Sequence, residues 1–276
     1  MTVQITESEI VPYKDFTMPP LVYKYRDWSH NSHKRIVTHR EVYFSSPANF
    51  EDEFDCKNPT RWDLLTHEEI LNKYYQDSWK LNPSFTIEQH QDFAIDWANH
   101  TMVTDKDYVD RQQSETFNQF NDRTGVLSLT EYPAEIRMWE KYSNSHTGFC
   151  IGFDAKTMLY KTGSGAGIVL YHDELPQIHP TPKHTTTEQI LLQVFCKLDH
   201  WSFEKEYRVF KFKNTPLTKA DRCVVINPYA FKEIIIGSSM SGDDAKKLID
   251  SIPPEIRQIK IKKAHLINNE IIIRDF

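Results

Sequence analysis

The chain has 276 residues, enough for one large domain or two small ones, and 39% of them are aliphatic, aromatic or sulfur-bearing, enough to fill a core. With 33 basic against 39 acidic residues the formal charge is -6, which excludes a global attraction to nucleic acid and leaves room only for a local basic patch. Glycine is scarce, with 8 residues, which counts against a glycine-rich phosphate loop. The four cysteines, Cys56, Cys150, Cys196 and Cys223, form no CxxC pair, which counts against structural zinc or a disulfide framework. No stretch approaches the roughly 20 apolar residues of a membrane span, and MTVQITESEI has no basic region followed by an apolar run. No leader and no membrane association are therefore expected, and the location is read as cytoplasmic.

Residues 1–20 read as a lead-in ending at Pro19-Pro20, and 21–276 as a single domain. LVYKYR (21–26) is aromatic and β-branched and predicts a strand. Ser29 and Ser32 offer caps for a short helix over HKRIVTHR (33–40), and EVYFSS (41–46) predicts a second strand stopped by Pro47. FEDEFD (50–55) is an acidic turn. Three segments between 60 and 122 space apolar residues three and four apart, so a helical insertion is expected there. GVLSLT (125–130) and GFCIGFD (148–154) predict strands around a helix within 131–143. GSGAG (163–167) precedes IVLYHD, which reads as a strand; a dinucleotide fingerprint needs a helix there, so the glycines are expected to form a hairpin loop. TTTEQILLQVFCKLDHW (185–201) predicts a long helix, and EYRVFKF, CVVINP and EIIIGS predict strands. GDDAKKLIDSI predicts a helix with an acidic first turn, as the helix dipole favours, and IKIKKAHL with EIIIRDF a closing hairpin. Strands and helices mix without regular alternation, so the class is α+β.

Four blocks carry a resemblance to a known family: VYKYRDW with EVYFSSPANFEDEFD, LSLTEYPAEIRMWEKYSNSHTGFCIGFD, KLDHWSFEKEYRVF and IIIGSSM. In order and spacing they resemble the bacterial domain of unknown function 2971 from about residue 21 to the end. A more distant resemblance is to the ADP-ribosyltransferase fold, in which a polar residue on a first strand, a Ser on a second and a Glu-x-Glu opening a late strand meet a nicotinamide dinucleotide. The matching positions are Arg26, Ser45 with Ser46, and Glu204-Lys205-Glu206. The resemblance implies a twisted two-sheet core with the helices inserted, and NAD as co-substrate.

The implied chemistry suits those residue types. Cleaving the nicotinamide–ribose bond develops positive charge on the sugar, which a carboxylate stabilises; that role falls to Glu206. Arg26 would neutralise the pyrophosphate or hold the ribose. A hydroxyl of Ser45 or Ser46 would orient the ribose or Glu206, and Glu204 would act as base on the acceptor. Tyr23, Tyr25 and Trp201 could stack on a ring, and His146 could be a base or line the same cleft. A bacterial toxin or phage-defence setting follows by analogy alone. The acceptor, protein, nucleic acid or water, stays open, as does a homodimer.

Plainer readings stand beside this one. Arg26 and Glu206 could pair structurally, Ser45-Ser46-Pro47 is an ordinary strand exit, and strand alternation alone would put Glu204 and Glu206 on one face. Lys197 and Arg208 could bind phosphate or balance the two glutamates. A metal-dependent nuclease is the second hypothesis, with Asp52 or Asp55 joining Glu204 and Glu206 and Lys197 or Lys205 nearby; Asp52, Glu53 and Asp55 offer oxygen ligands, although no metal is assigned. A non-catalytic module binding a nucleotide or peptide in an aromatic cleft is the third.

Overall fold

The computed structural model describes residues 18–100 and 105–276, so the lead-in expected over 1–20 lies almost wholly outside the described residues. Among those residues the strands are β1 (Leu21–Arg26), β2 (Glu41–Tyr43), β3 (Thr124–Thr130), β4 (Phe149–Asp154), β5 (Gly165–Ile168), β6 (Leu170–His172), β7 (Cys196–Leu198), β8 (Glu206–Phe212), β9 (Cys223–Val225), β10 (Phe231–Ile236), β11 (Lys260–Ile267) and β12 (Glu270–Asp275). The helices are α1 (Asn31–Thr38), α2 (His67–Leu81), α3 (Ile87–Asn99), α4 (Lys106–Arg123), α5 (Ile136–Tyr142), α6 (Ala155–Lys161), α7 (Thr186–Phe195), α8 (Lys219–Arg222) and α9 (Gly242–Asp250). None is long and apolar enough to cross a membrane.

The α+β class holds, and the strands of the expected two-sheet core are linked into one large sheet. One eight-stranded sheet, in the order β12-β11-β10-β4-β1-β3-β8-β5, dominates, with two-stranded ribbons β2-β9 and β6-β7 beside it. Its β10-β11 pair is parallel and the other pairs are antiparallel. Side-chain alternation gives the sheet two apolar faces. Val22, Phe149, Ile151, Phe153, Ile234 and Ile236 join the larger core. Tyr23, Tyr25, Cys150 and Ile235 point the other way and pack with Trp139 of α5.

The helical insertion forms where its pattern places it. Capping boxes Thr66–Glu69 and Thr86–Gln89 open α2 and α3, each satisfying two backbone groups that a helix start leaves bare. Three other expectations are corrected. The glycines at 165 and 167 lie inside β5, paired with β8, and not in a hairpin loop. A Cβ on Gly165 would come within 2.6 Å of the Phe210 ring, so glycine is what lets this strand lie against the aromatic layer. The helix predicted over 185–201 ends at Phe195, because Cys196–Leu198 pairs with Leu170–His172 as a parallel ribbon. The strand predicted over 41–46 stops at Tyr43; beyond it the Phe44 N–H donates to the Arg222 carbonyl, and Ser45 bridges to Val126.

That last bridge belongs to a defect in the sheet. β1 pairs with β4 along its whole length, and β3 pairs with β8 along its own. Yet β1 and β3 pair only at Tyr23–Thr130. Beyond that point the two central strands part. Ser45 takes the place beside Val126, with backbone bonds of 3.0 and 2.8 Å, and Lys24 reaches across the gap to the Ser128 carbonyl at 2.5 Å.

Candidate functional site

The parting of β1 and β3 opens a cavity of about 480 Å3. β1 supplies Lys24 and Arg26 to it, β3 supplies Ser128, and the acidic turn after Pro47 supplies Asp52 and Asp55. Tyr142 comes from the end of α5, Lys197 from β7, Trp201 and Glu204 from the 3-10 turn Asp199–Glu204, and Glu206 from the start of β8.

One wall is a closed ionic network. Lys197 Nζ stands 2.6 Å from Glu204 Oε2, 3.4 Å from Asp55 Oδ2 and 3.6 Å from Glu206 Oε2. Arg208, 0% exposed, grips both oxygens of Glu206 at 2.8 and 2.9 Å, donates to Asp55 at 2.7 Å and to the Val194 carbonyl at 2.6 Å. The Tyr142 hydroxyl donates to the remaining oxygen of Glu204 at 2.5 Å. Burial opposes every charge here, but the partners win. Against that burial penalty, Arg208 and Lys197 hold the Glu206 carboxyl down at about 2, while the three carboxylates push the Lys197 ammonium above its ordinary range. Burial and then Glu204 push the Tyr142 hydroxyl up.

The opposite wall has two cations that make no ion pair with a described residue, and its acidic neighbour, Asp27, stands 3.9 Å from His30. Arg26 makes no hydrogen bond or ion pair with another described residue, and burial holds its guanidinium down at about 10. Lys24 has the neutral Ser128 carbonyl as its hydrogen-bond acceptor; burial and then Arg26 lower its ammonium to about 7. His33 is pushed down to about 4 by burial, then by Arg26 and His30, and its Nδ1 is buried without a partner. Asp52 Oδ2, Asp55 Oδ1 and Trp201 Nε1 are likewise buried and unpartnered at the cavity. Unpaired polar atoms gathered at one concavity are the mark of a place built for a ligand.

Of the residues singled out in the sequence, Arg26, Tyr25, Ser45, Trp201, Glu204 and Glu206 line this cavity. Ser45 faces it, and Ser46 does not: the Ser46 Oγ donates to the Asn121 carbonyl and caps the 3-10 turn Pro47–Asn49. His146 is also away from it. It stacks flat at 6.4 Å from Trp139, in a run of left-handed residues, Asn144, Ser145 and His146, whose carbonyl end lies against the bare backbone of Gly237. Tyr25 lines the cavity but is largely committed elsewhere, with its hydroxyl on the Tyr132 carbonyl and its ring edge-on to Trp139. Trp201 keeps an aromatic face in the cavity, with Lys141 at 3.8 Å and Lys197 at 4.8 Å from its ring.

The glutamates meet for a different reason than strand alternation. Glu204 ends the 3-10 turn, Lys205 takes a left-handed φ of 40°, and β8 begins at Glu206; the kink turns both carboxylates inward and leaves Lys205 outside over the Tyr132 ring. The structural pairing of Arg26 with Glu206 is absent, since the partner of Glu206 is Arg208. Lys197 and Arg208 balance the acidic residues. The carboxylates of the nuclease hypothesis, Asp55, Glu204 and Glu206, do converge, and the point of convergence holds the Lys197 ammonium. Sequence reasoning missed Lys24 and Tyr142. The signal for Lys24 was present: Val22, Lys24 and Arg26 alternate onto one face of β1, and two cations following a core valine mark a strand that leaves the core for a charged site.

Residues 138–209 match the model of a family described as protein of unknown function (DUF2971). The matched segment runs from α5 into β8 and contains Tyr142, Lys197, Trp201, Glu204, Glu206 and Arg208, so most of the ionic wall lies within it. Neither the curated proteins nor the solved structures contain a match to the chain.

Proposed function

We propose that the chain binds NAD in the β1–β3 fissure and cleaves its nicotinamide–ribose bond, passing the ADP-ribosyl group to an acceptor or to water. The observation that carries this reading is the assembly of Arg26, Ser45, Trp201, Glu204 and Glu206 around one cavity from three separate stretches of chain. An ADP-ribosyltransferase-like arrangement of the sheet and a cytoplasmic setting belong to the same reading.

The roles follow from the electrostatics. The Arg26 guanidinium lacks an anionic partner, and a pyrophosphate would supply one. The Glu204–Glu206 pair keeps negative charge near the point where the ribose becomes cationic, and both carboxylates are buried, where charge acts strongly. Both oxygens of Glu206 are held by Arg208, so Glu206 acts as a fixed electrostatic group. Glu204, at the end of the network, is the group to receive the acceptor's proton, with Tyr142 and Lys197 fixing its orientation. The face of Trp201 offers a stacking surface for nicotinamide or adenine.

The test is nicotinamide release from NAD by the wild type, Glu204→Gln and Glu206→Gln, with and without cell lysate as a source of acceptor, after melting curves have shown that the variants fold. Release by the wild type and its loss in Glu204→Gln support the reading. No release under any condition, or equal release by all three proteins, overturns it.

A further inference from the structure

Lys24 is chemically unlike the other buried lysine of the cavity, and nothing in the proposed NAD chemistry needs that difference. Lys197 is surrounded by three carboxylates. Lys24 reaches the cavity from the middle of β1 with one hydrogen bond, to a neutral backbone carbonyl. The charged groups that act on it are Arg26 from its own strand, Arg208 from β8, and Glu206 and Glu204. The two arginines oppose its protonation, and the two glutamates are already matched by Arg208 and Lys197. Burial and then Arg26 lower the ammonium to about 7, against the pull of the two glutamates, so at the cavity wall its nitrogen gives up a proton more readily than an exposed lysine does. Two residues along the same strand face, Arg26 presents a guanidinium with no partner.

We infer that Lys24 is a nucleophilic amine that captures an aldehyde or ketone as an imine, the anionic phosphate or carboxylate of that compound being held by Arg26. The step balances without an oxidant or reductant. The nitrogen lone pair attacks the carbonyl carbon, and the carbonyl oxygen takes one proton from nitrogen to give a carbinolamine. The oxygen then leaves as water with the second amine proton, and the C=N bond remains. An ordinary surface lysine at the same pH is almost wholly ammonium and has no lone pair to offer.

The inference is independent of NAD cleavage, and so is its test. The full chain is treated at pH 7.5 with pyridoxal 5'-phosphate, an anionic aldehyde, then with borohydride to fix any imine as a secondary amine, and the modified lysines are mapped by peptide mass spectrometry. Lys24 is expected to be modified first. Pyridoxal, which lacks the phosphate, should label it about tenfold more slowly, as should the phosphate ester acting on Arg26→Gln, since each loses a charge-assisted hydrogen bond. Added inorganic phosphate should protect Lys24. The labelling rate should rise through a midpoint near pH 7, while exposed lysines keep rising to higher pH. Labelling spread over exposed lysines with Lys24 unmodified would overturn the inference. So would Lys24 labelling that ignores both the phosphate of the reagent and the guanidinium of Arg26.

Discussion

Lys197 and Lys24 border the same cavity, and their surroundings differ in one respect, the supply of negative charge. Lys197 has three carboxylates within 3.6 Å, and Lys24 has a carbonyl oxygen. The first ammonium is driven above its ordinary range and the second down to about 7. Burial opposes both charges, although Lys24 is half-buried and Lys197 fully buried, so partners and not depth set the state of the two cations. Seen across the cavity, one wall has spent its charges on itself and the other keeps them for something not in the protein. The first wall is paired within itself; on the function proposed above, the second is where an anion would be held.

The largest effect should come from cutting the self-satisfied wall. Arg208→Met leaves Glu206 and Asp55 buried without their main counter-charge and should cost about 3–5 kcal/mol, measured by urea unfolding. A cost below about 1 kcal/mol would mean that the network is far wetter than its burial indicates. Lys24→Met should do the opposite and leave stability unchanged or raise it, because it removes a half-buried cation whose hydrogen-bond partner is a neutral carbonyl and not a carboxylate. The sign with pH is fixed. Lys24 is a base whose folded value lies below its unfolded one, so between about pH 7 and the ordinary lysine value of about 10.4 the unfolded chain holds more protons. Stability of the wild type therefore rises with pH across that window. The advantage of Lys24→Met should be greatest below pH 7 and fade toward pH 10. An advantage flat in pH would contradict the account of Lys24. The smallest effect belongs to Ser46→Ala, which removes a cap and a bond to the Asn121 carbonyl. It should lower stability by about 1 kcal/mol and leave nicotinamide release alone, whereas a loss of turnover would return Ser46 to the cavity.

Much of this contrast was legible in the chain, though unevenly. Local patterns predicted β1, β3, β8 and the closing hairpin, because alternation and β-branching act within a strand. They also predicted the helices of the insertion from apolar residues spaced three and four apart. What depends on distant partners was not legible. Nothing local shows that β1 and β3 part after one pair, nor that Cys196–Leu198 leaves a helical pattern to join β6. Phe210 and Phe195, far along the chain, lie against the glycines at 165 and 167, which pair into a strand. Arg26, Ser45, Glu204 and Glu206 line one cavity. His146 did not, because the left-handed turn at 144–146 sets it against Trp139. Lys24 was overlooked although it shares a strand face with Arg26, since a lysine within an aromatic strand reads as an ordinary solvent-facing position until the walls around it are known.

The measurement that reaches the central claim most directly is thermal melting of the wild type and Arg26→Gln, each with and without NAD. A ligand held by the unpaired wall stabilises the folded chain in proportion to its occupancy. The account predicts a clear rise in the wild-type melting temperature with NAD and a rise cut to a small fraction of that in Arg26→Gln. Equal rises in the two proteins, or none in either, would contradict it.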